Sequence, residues 1–226
     1  MQALRCGPVK FVQAMIGAPA EHMVGLAQVA EEAGFDGVAL SDHLFLPERI
    51  DSQYPYTPDG RPQFESDTPW PDVWVMMGAM AQATEHLRFL TNVFVLPVRN
   101  PIAVAKAVGT VATLSDNRVV LGAGAGWMRE EFDYLGERFE RRGRRMEEMI
   151  EVMRALWSGE MVEHHGEFYD FDRIQMLPAP QEAIPVVIGG HSDTALRRAA
   201  QVGDGWLGVQ YTLDELEEVL RPPAPA

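Results

Sequence analysis

Short, wholly apolar runs alternate along this chain with longer stretches in which apolar residues recur every three or four positions, the signatures of buried strands and amphipathic helices. Val9 to Met15 reads as a first strand. Glu21 to Ala33 follows as a helix with Met23, Leu26, Ala27 and Ala30 on one side, stopped by Gly34. Gly37 to Leu40 is a second strand, Trp70 to Thr84 a nearly all-apolar helix, and Leu87 to Leu96 a third strand. Pro101 to Leu114 is a helix announced by Asn100-Pro101, and the run from Arg118 is a fourth strand. Arg141 to Trp157 forms a long helix whose Met146, Met149, Ile150, Met153 and Leu156 repeat at helical spacing, as core methionines do. Glu160 to Pro180 suits a short hairpin; Pro185 to Gly190 and Gly205 to Val209 are strands five and six; Thr194 to Val202 and Leu213 to Leu220 are the remaining helices.

Six strand-helix units in strict alternation imply a parallel sheet flanked by helices, which either a doubly wound sheet or a β/α barrel satisfies. The strand ends favour the barrel. Asp42-His43, Thr91-Asn92, Gly124 to Trp127 and Gly189 to Ser192 lie at the carboxyl ends of four different strands, where barrel enzymes gather their sites. Phe45 to Pro69, rich in Pro, Asp, Tyr and Gly, is long for a plain connection and suits a lid or binding loop.

The fourth strand, Val119-Val120-Leu121, runs into Gly122, Gly124 and Gly126, so the backbone there can come close to a ligand. A dinucleotide-binding turn is excluded by spacing: G-x-G-x-x-G would need glycine at Trp127 or Arg129. Trp127 supplies an apolar wall, and Glu130 and Glu131 open a helix, where acidic residues complement the dipole. The same stretch without a ligand would be a glycine-rich strand end packed on a helix.

The 226 residues, 46% hydrophobic and 23% charged, suffice for one domain with a substantial core, assigned to residues 1–220, and the proline-rich tail 221–226 cannot be helical. A net charge of −14 and a pI near 4.8 disfavour nucleic acid and anionic membranes as partners and leave small molecules. Cys6 is the only cysteine, which excludes an internal disulfide and suits a reducing cytoplasm. No run has the length of a membrane span or a signal-peptide core. His164-His165 lacks a third ligand at suitable spacing, so no metal site is expected. No Ser-His-Asp order or nucleophile elbow is present, and His22, His86 and Leu213 to Leu220 read as solvated surface.

Several of these pieces together resemble the bacterial luciferase-like monooxygenases, and within them the branch of oxidoreductases that use the deazaflavin coenzyme F-420. The matching segments are Phe35-Asp36-Gly37 leading to Ser41-Asp42-His43, Ala83-Thr84-Glu85 leading to Thr91 through Pro97, Asn100-Pro101 with Ala105-Lys106, Leu121 to Gly136, and Gly203-Asp204-Gly205-Trp206. They span about Lys10 to Gly208, and the run Gly-x-Gly-x-Gly-Trp-x-x-Glu-Glu-Phe is fairly specific to that branch. The resemblance implies a TIM-type (β/α) barrel that holds F-420, or FMN as the alternative, at its carboxyl mouth, and a small organic substrate exchanging hydride with it. It implies catalytic roles for His43 and Asp42 beside the ring, His43 being the proton-transfer group, which an imidazole with a pKa near 6.5 suits. It also implies a cis peptide at Asn92-Val93 in a bulged strand begun by Thr91, contacts to ring or substrate from Gly124, Gly126, Trp127 and Glu130, and a phosphate corner at Gly189, Gly190, His191 and Ser192. An anion site of that kind needs only free amides, a hydroxyl and a helix amino end. One of Arg142, Arg144 and Arg145, at a helix start where cations are unusual, is a further candidate, with a solvated basic face as the equal alternative.

Each candidate has a structural reading beside the functional one: a strand-end cap for His43, a buried strand for Asn92-Val93, a core aromatic for Trp127, and a helix-start carboxylate for Glu130. The family's barrel has eight strands, and six are legible here, so the barrel is expected to be incomplete. Three functions follow: an F-420-dependent oxidoreductase, an FMN-dependent monooxygenase, or a non-catalytic cofactor-binding remnant. The family also implies a homodimer.

Overall fold

A computed structural model describes residues 8–219. Cys6, Leu220 and the proline tail 221–226 lie outside the described residues. Among the described residues, nine strands and seven α-helices follow in the order β1 (Val12–Ala14), α1 (Ala20–Glu32), β2 (Gly37–Leu40), α2 (Val73–Ala83), β3 (Arg88–Thr91), β4 (Phe94–Val95), α3 (Pro101–Leu114), β5 (Val119–Gly124), α4 (Arg129–Tyr134), α5 (Arg142–Leu156), β6 (Met161–His165), β7 (Asp170–Gln175), β8 (Val186–Gly189), α6 (Asp193–Val202), β9 (Gly205–Leu207) and α7 (Leu213–Val219). The main sheet is parallel throughout and ordered β1-β2-β3-β5-β8-β9, with β4 also on β5. It curls into a half-barrel, the incomplete TIM-type barrel that the resemblance implies, with helices packed against their sequence neighbours outside it. The antiparallel β6-β7 pair is the expected hairpin.

Local chemistry sets the helix starts. Asn100 caps α3 by accepting from the amides of Ile102 (2.9 Å) and Ala103 (3.3 Å). Asp72 does the same for α2, accepting from Trp74 (2.9 Å) and Val75 (3.0 Å), so that helix begins at Val73 and not at Trp70, behind Pro71. The α5 stripe of Met146, Met149, Ile150, Met153 and Leu156 is wholly buried against the sheet, where flexible thioethers fill the space between unlike neighbours.

The apolar pattern reads the third strand as continuous, and the bulge and cis peptide that the resemblance implies at Asn92-Val93 are present in it. It breaks at a cis peptide between Asn92 and Val93, and the two halves pair separately with β5. Between the pairs Leu90–Val120 and Phe94–Ala123, four steps on one strand match three on the other, which is a one-residue bulge. Thr91 locks the near side: its hydroxyl donates to the Gly122 carbonyl and accepts from the Gly122 amide, both at 2.8 Å, with the side chain fully buried. Gly122 is required there because a Cβ would stand 1.8 Å from the Thr91 carbonyl oxygen.

Alanine at Gly122 must therefore displace backbone, and G122A is expected to lower the unfolding free energy by at least about 3 kcal/mol in urea titrations. G25A, within α1 where an added Cβ meets nothing within 4 Å, is expected to raise it by about 0.5–1 kcal/mol.

Candidate active site

Four strand ends open onto one cavity of about 720 Å³. Ser41, Asp42 and His43 come from β2, Asn92 and Val93 from the bulge, Gly124 to Trp127 from β5, and Gly189 to Ser192 from β8. The loop after β2 contributes Tyr54, Tyr56, Phe64 and Trp70 from above, and the starts of α5 and α6 close the far end.

Asp42 is 6% exposed and fully engaged: one oxygen accepts from the Val95 amide (3.0 Å) and the other from Arg99 (2.7 Å), whose guanidinium lies 4.1 Å over the Phe94 ring. Burial pushes its carboxyl up to about 6, against the pull of Arg99 and the Val95 amide. Ser41 donates to the Asn92 carbonyl at 2.9 Å. Together the two residues hold the end of β2 onto both sides of the bulge. Val93 is thereby driven between two glycines; a Cβ on Gly124 would lie 2.3 Å, and one on Gly189 2.7 Å, from its methyl groups. These glycines make room for Val93, and the backbone approach anticipated for a ligand is used first by that side chain.

His43 is buried among aromatic edges, with ring centroids 4.9 Å from Trp70, 5.6 Å from Phe64 and 6.0 Å from Trp127. Its Nδ1 faces the Glu131 carboxylate at 3.4 Å. Glu131 is the functional neighbour that sequence reasoning missed; the adjacent Glu130 carried the same helix-start signal, and only the helix rotation tells them apart. Glu130 turns outward from the cavity and accepts from the Asp51 amide (2.7 Å), the Ser52 amide (3.0 Å) and the Ser52 hydroxyl (2.7 Å). It tethers the loop over the site, and these bonds hold its carboxyl below the usual range despite partial burial. Thr91, likewise named from the sequence, points into the sheet and does not line the cavity.

The opposite end is cationic. Arg141, Arg142, Arg144 and Arg198 line it beside Ser192 and the first turn of α6, whereas Arg145 is buried elsewhere, donating to the Pro97 and Arg138 carbonyls at 2.9 Å. Arg141 and Arg144 pair with Glu167, and Arg198 with Glu147. Arg142 forms no ion pair among the described residues; it donates to the carbonyls of Gly126 (2.9 Å) and Phe139 (3.3 Å) and lies 3.6 Å over the Phe139 ring. Burial, with Arg129 and Arg198 nearby, lowers its pKa from the ordinary value, as expected of a cation short of anions. His191 is no cation here: its Nε2 accepts from the Val209 amide (3.0 Å), its ring packs on Tyr56 and Tyr211, and burial lowers its pKa. Ser192 caps α6 by accepting from the Ala195 amide at 3.2 Å. The described residues hold no cluster of three or more His, Cys, Asp or Glu able to bind a metal, and no helix among them is long and apolar enough to cross a membrane.

The family model described as luciferase-like monooxygenase matches residues 8–221. The chain is 42% identical over 197 residues to an uncharacterized protein of Mycobacterium tuberculosis, covering 87% of this chain and 68% of that one. It is 30% identical over 213 residues to the F420-dependent glucose-6-phosphate dehydrogenase of Amycolatopsis mediterranei, covering 90% of this chain and 59% of that enzyme. Among solved structures, a monooxygenase from Streptomyces bottropensis superposes with a TM-score of 0.71 at 23% identity, over 88% of this chain and 59% of that one. An F420-dependent secondary alcohol dehydrogenase does so with a TM-score of 0.70 at 22% identity, over 87% of this chain and 56% of that one. These structural likenesses establish the fold.

Two outcomes follow from the site. Because the folded-state pKa of Asp42 lies above the value of 3.8 for an unperturbed carboxyl, the native protein holds the extra proton between those values. Wild type should then lose stability relative to D42N as pH rises from about 4 to about 6, by at most about 3 kcal/mol, in parallel urea titrations. In E130A, the amides of Asp51 and Ser52 should exchange hydrogen about tenfold faster, roughly 1.4 kcal/mol of lost protection, while amides of β5 remain unchanged.

Proposed function

Since the chain belongs to the luciferase-like monooxygenase family, whose members are oxidoreductases and monooxygenases, we propose that it transfers a hydride between coenzyme F-420 and a small organic substrate. The observation that carries this reading is the convergence of His43, the Asn92-Val93 bulge, Gly124 to Trp127 and Gly189 to Ser192 on one cavity. That cavity is apolar and aromatic at one end and cationic at the other, which suits a flat heterocycle joined to an anionic tail. The name of the relative from Amycolatopsis mediterranei points to F-420 over FMN.

The deazaflavin, when bound, supplies a two-electron hydride carrier. The chain's own residues supply the rest. Val93, Trp127 and Tyr54 shape the apolar wall and, with Phe64 and Trp70, keep water from the reacting groups. The amides of Gly190 to Ser192, the amino end of α6 and Arg142 hold the anionic portion. Asp42, with both oxygens already bonded, acts by holding the bulge and not by touching the reactants. His43, at the aromatic end, moves the proton that accompanies the hydride at a substrate oxygen. Trp70 adds a further aromatic wall, its buried indole nitrogen having no hydrogen-bond partner among the described residues.

Fluorescence titration with F-420, with FMN and with buffer tests the assignment: F-420 should bind and FMN should not. Tight binding of FMN alone would favour a monooxygenase, and binding of neither would favour a non-catalytic remnant. H43N should lower turnover by about 10²- to 10⁴-fold with F-420 affinity unchanged, measured by stopped-flow and equilibrium titration.

A further inference from the structure

We infer that Glu131 is a positioning residue that fixes the tautomer of His43, placing the imidazole proton on Nδ1 and leaving Nε2 free to accept a proton. The inference adds to the function proposed above, in which His43 transfers a proton, but its geometric content stands apart from any cofactor.

Glu131 is 1% exposed, and both its oxygens are committed. One accepts from the Leu44 amide at 2.9 Å; the other faces His43 Nδ1 at 3.4 Å. A carboxylate oxygen accepts and does not donate, so the ring nitrogen facing it must carry the hydrogen. No described protein group bonds to Nε2, which belongs to a ring lining the cavity. The Leu44 amide belongs to the residue after His43, so one carboxylate fixes both the backbone beside the histidine and the orientation of its ring. Glu131 in turn is held by α4, which Phe132 anchors by full burial. The other charged groups nearby, Asp42 and Arg99, satisfy each other at 2.7 Å and leave the imidazole to Glu131. The arrangement follows a general rule: the partner of one ring nitrogen decides the chemistry available at the other.

The substitution E131Q sharpens the test, because the Leu44 amide selects how the new side chain lies. The glutamine oxygen must face that amide, which turns its NH₂ group towards His43 Nδ1; a donor there forces the hydrogen onto Nε2. Protein labelled with ¹⁵N-histidine, observed by long-range ¹H–¹⁵N correlation at about pH 8, where imidazoles are neutral, reads this directly. His43 is assigned by its loss in H43N. Wild type should show a protonated Nδ1 and a bare Nε2; E131Q should show the reverse. A wild-type ring protonated on Nε2, or an E131Q spectrum with the tautomer unchanged, overturns the inference, and the wild-type spectrum alone decides it should E131Q fail to fold. With F-420 and a turned-over substrate, E131Q should lower kcat about 10²-fold with KM little changed. A tautomer reversal with turnover unaffected would uphold the role of Glu131 and remove His43 from proton transfer.

Discussion

The site depends on one extra residue in the third strand and on the buried carboxylate that keeps it there. The bulge at Asn92-Val93 does not pair with β5; the Asn92 amide donates to the Leu40 carbonyl of β2, and side chains hold the rest. Asp42 holds the far side through the Val95 amide and Arg99, Ser41 holds the bulge itself through the Asn92 carbonyl, and Thr91 locks the near side to Gly122. With the strand fixed at both flanks, Val93 has one place to go, between Gly124 and Gly189. The residue pattern G-x-G at the end of β5 is thereby a packing requirement before it is a binding one.

Charge is distributed against the chain's overall balance. A protein of net charge −14 brings four arginines to one end of its cavity, three of them restrained by Glu167 and Glu147 and the fourth, Arg142, bonded only to carbonyls and laid on an aromatic ring. At the aromatic end the nearby guanidinium, Arg99, is paired with Asp42, and Glu131 is spent on the Leu44 amide and His43. Under the function proposed above, this polarity would orient a ligand having one flat apolar part and one anionic part, because the reversed pose would bring an anion towards two carboxylates.

The consecutive glutamates at the start of α4 perform two tasks because successive helical side chains diverge by about 100°. Glu130 reaches out to Asp51 and Ser52 in the loop that covers the cavity; Glu131 reaches in to His43 and Leu44. One turn of helix thus ties the loop's root and its middle to the same rigid point, so a shift of α4 would be felt by the cover and by the histidine together.

Much of this was legible in the sequence. Apolar periodicity placed the six main strands and their helices because burial imposes a period of 2 or 3.6 wherever an element packs on one face, and Asn100-Pro101 marked the start of α3 by its capping chemistry. The clustering of His43, Asn92, Gly124, Trp127 and Gly189 to Ser192 followed from their common position at strand carboxyl ends. Direction was not legible. That Thr91 and Glu130 turn away, that Glu131 faces His43, that Arg142 and Arg198 line the cavity while Arg145 does not, and that Val93 fills the glycine gap are all settled by the rotation and register of packed elements. A linear pattern records which face of an element is buried; which atom meets which across the cavity is decided only when the sheet curls and brings distant strand ends within bonding distance.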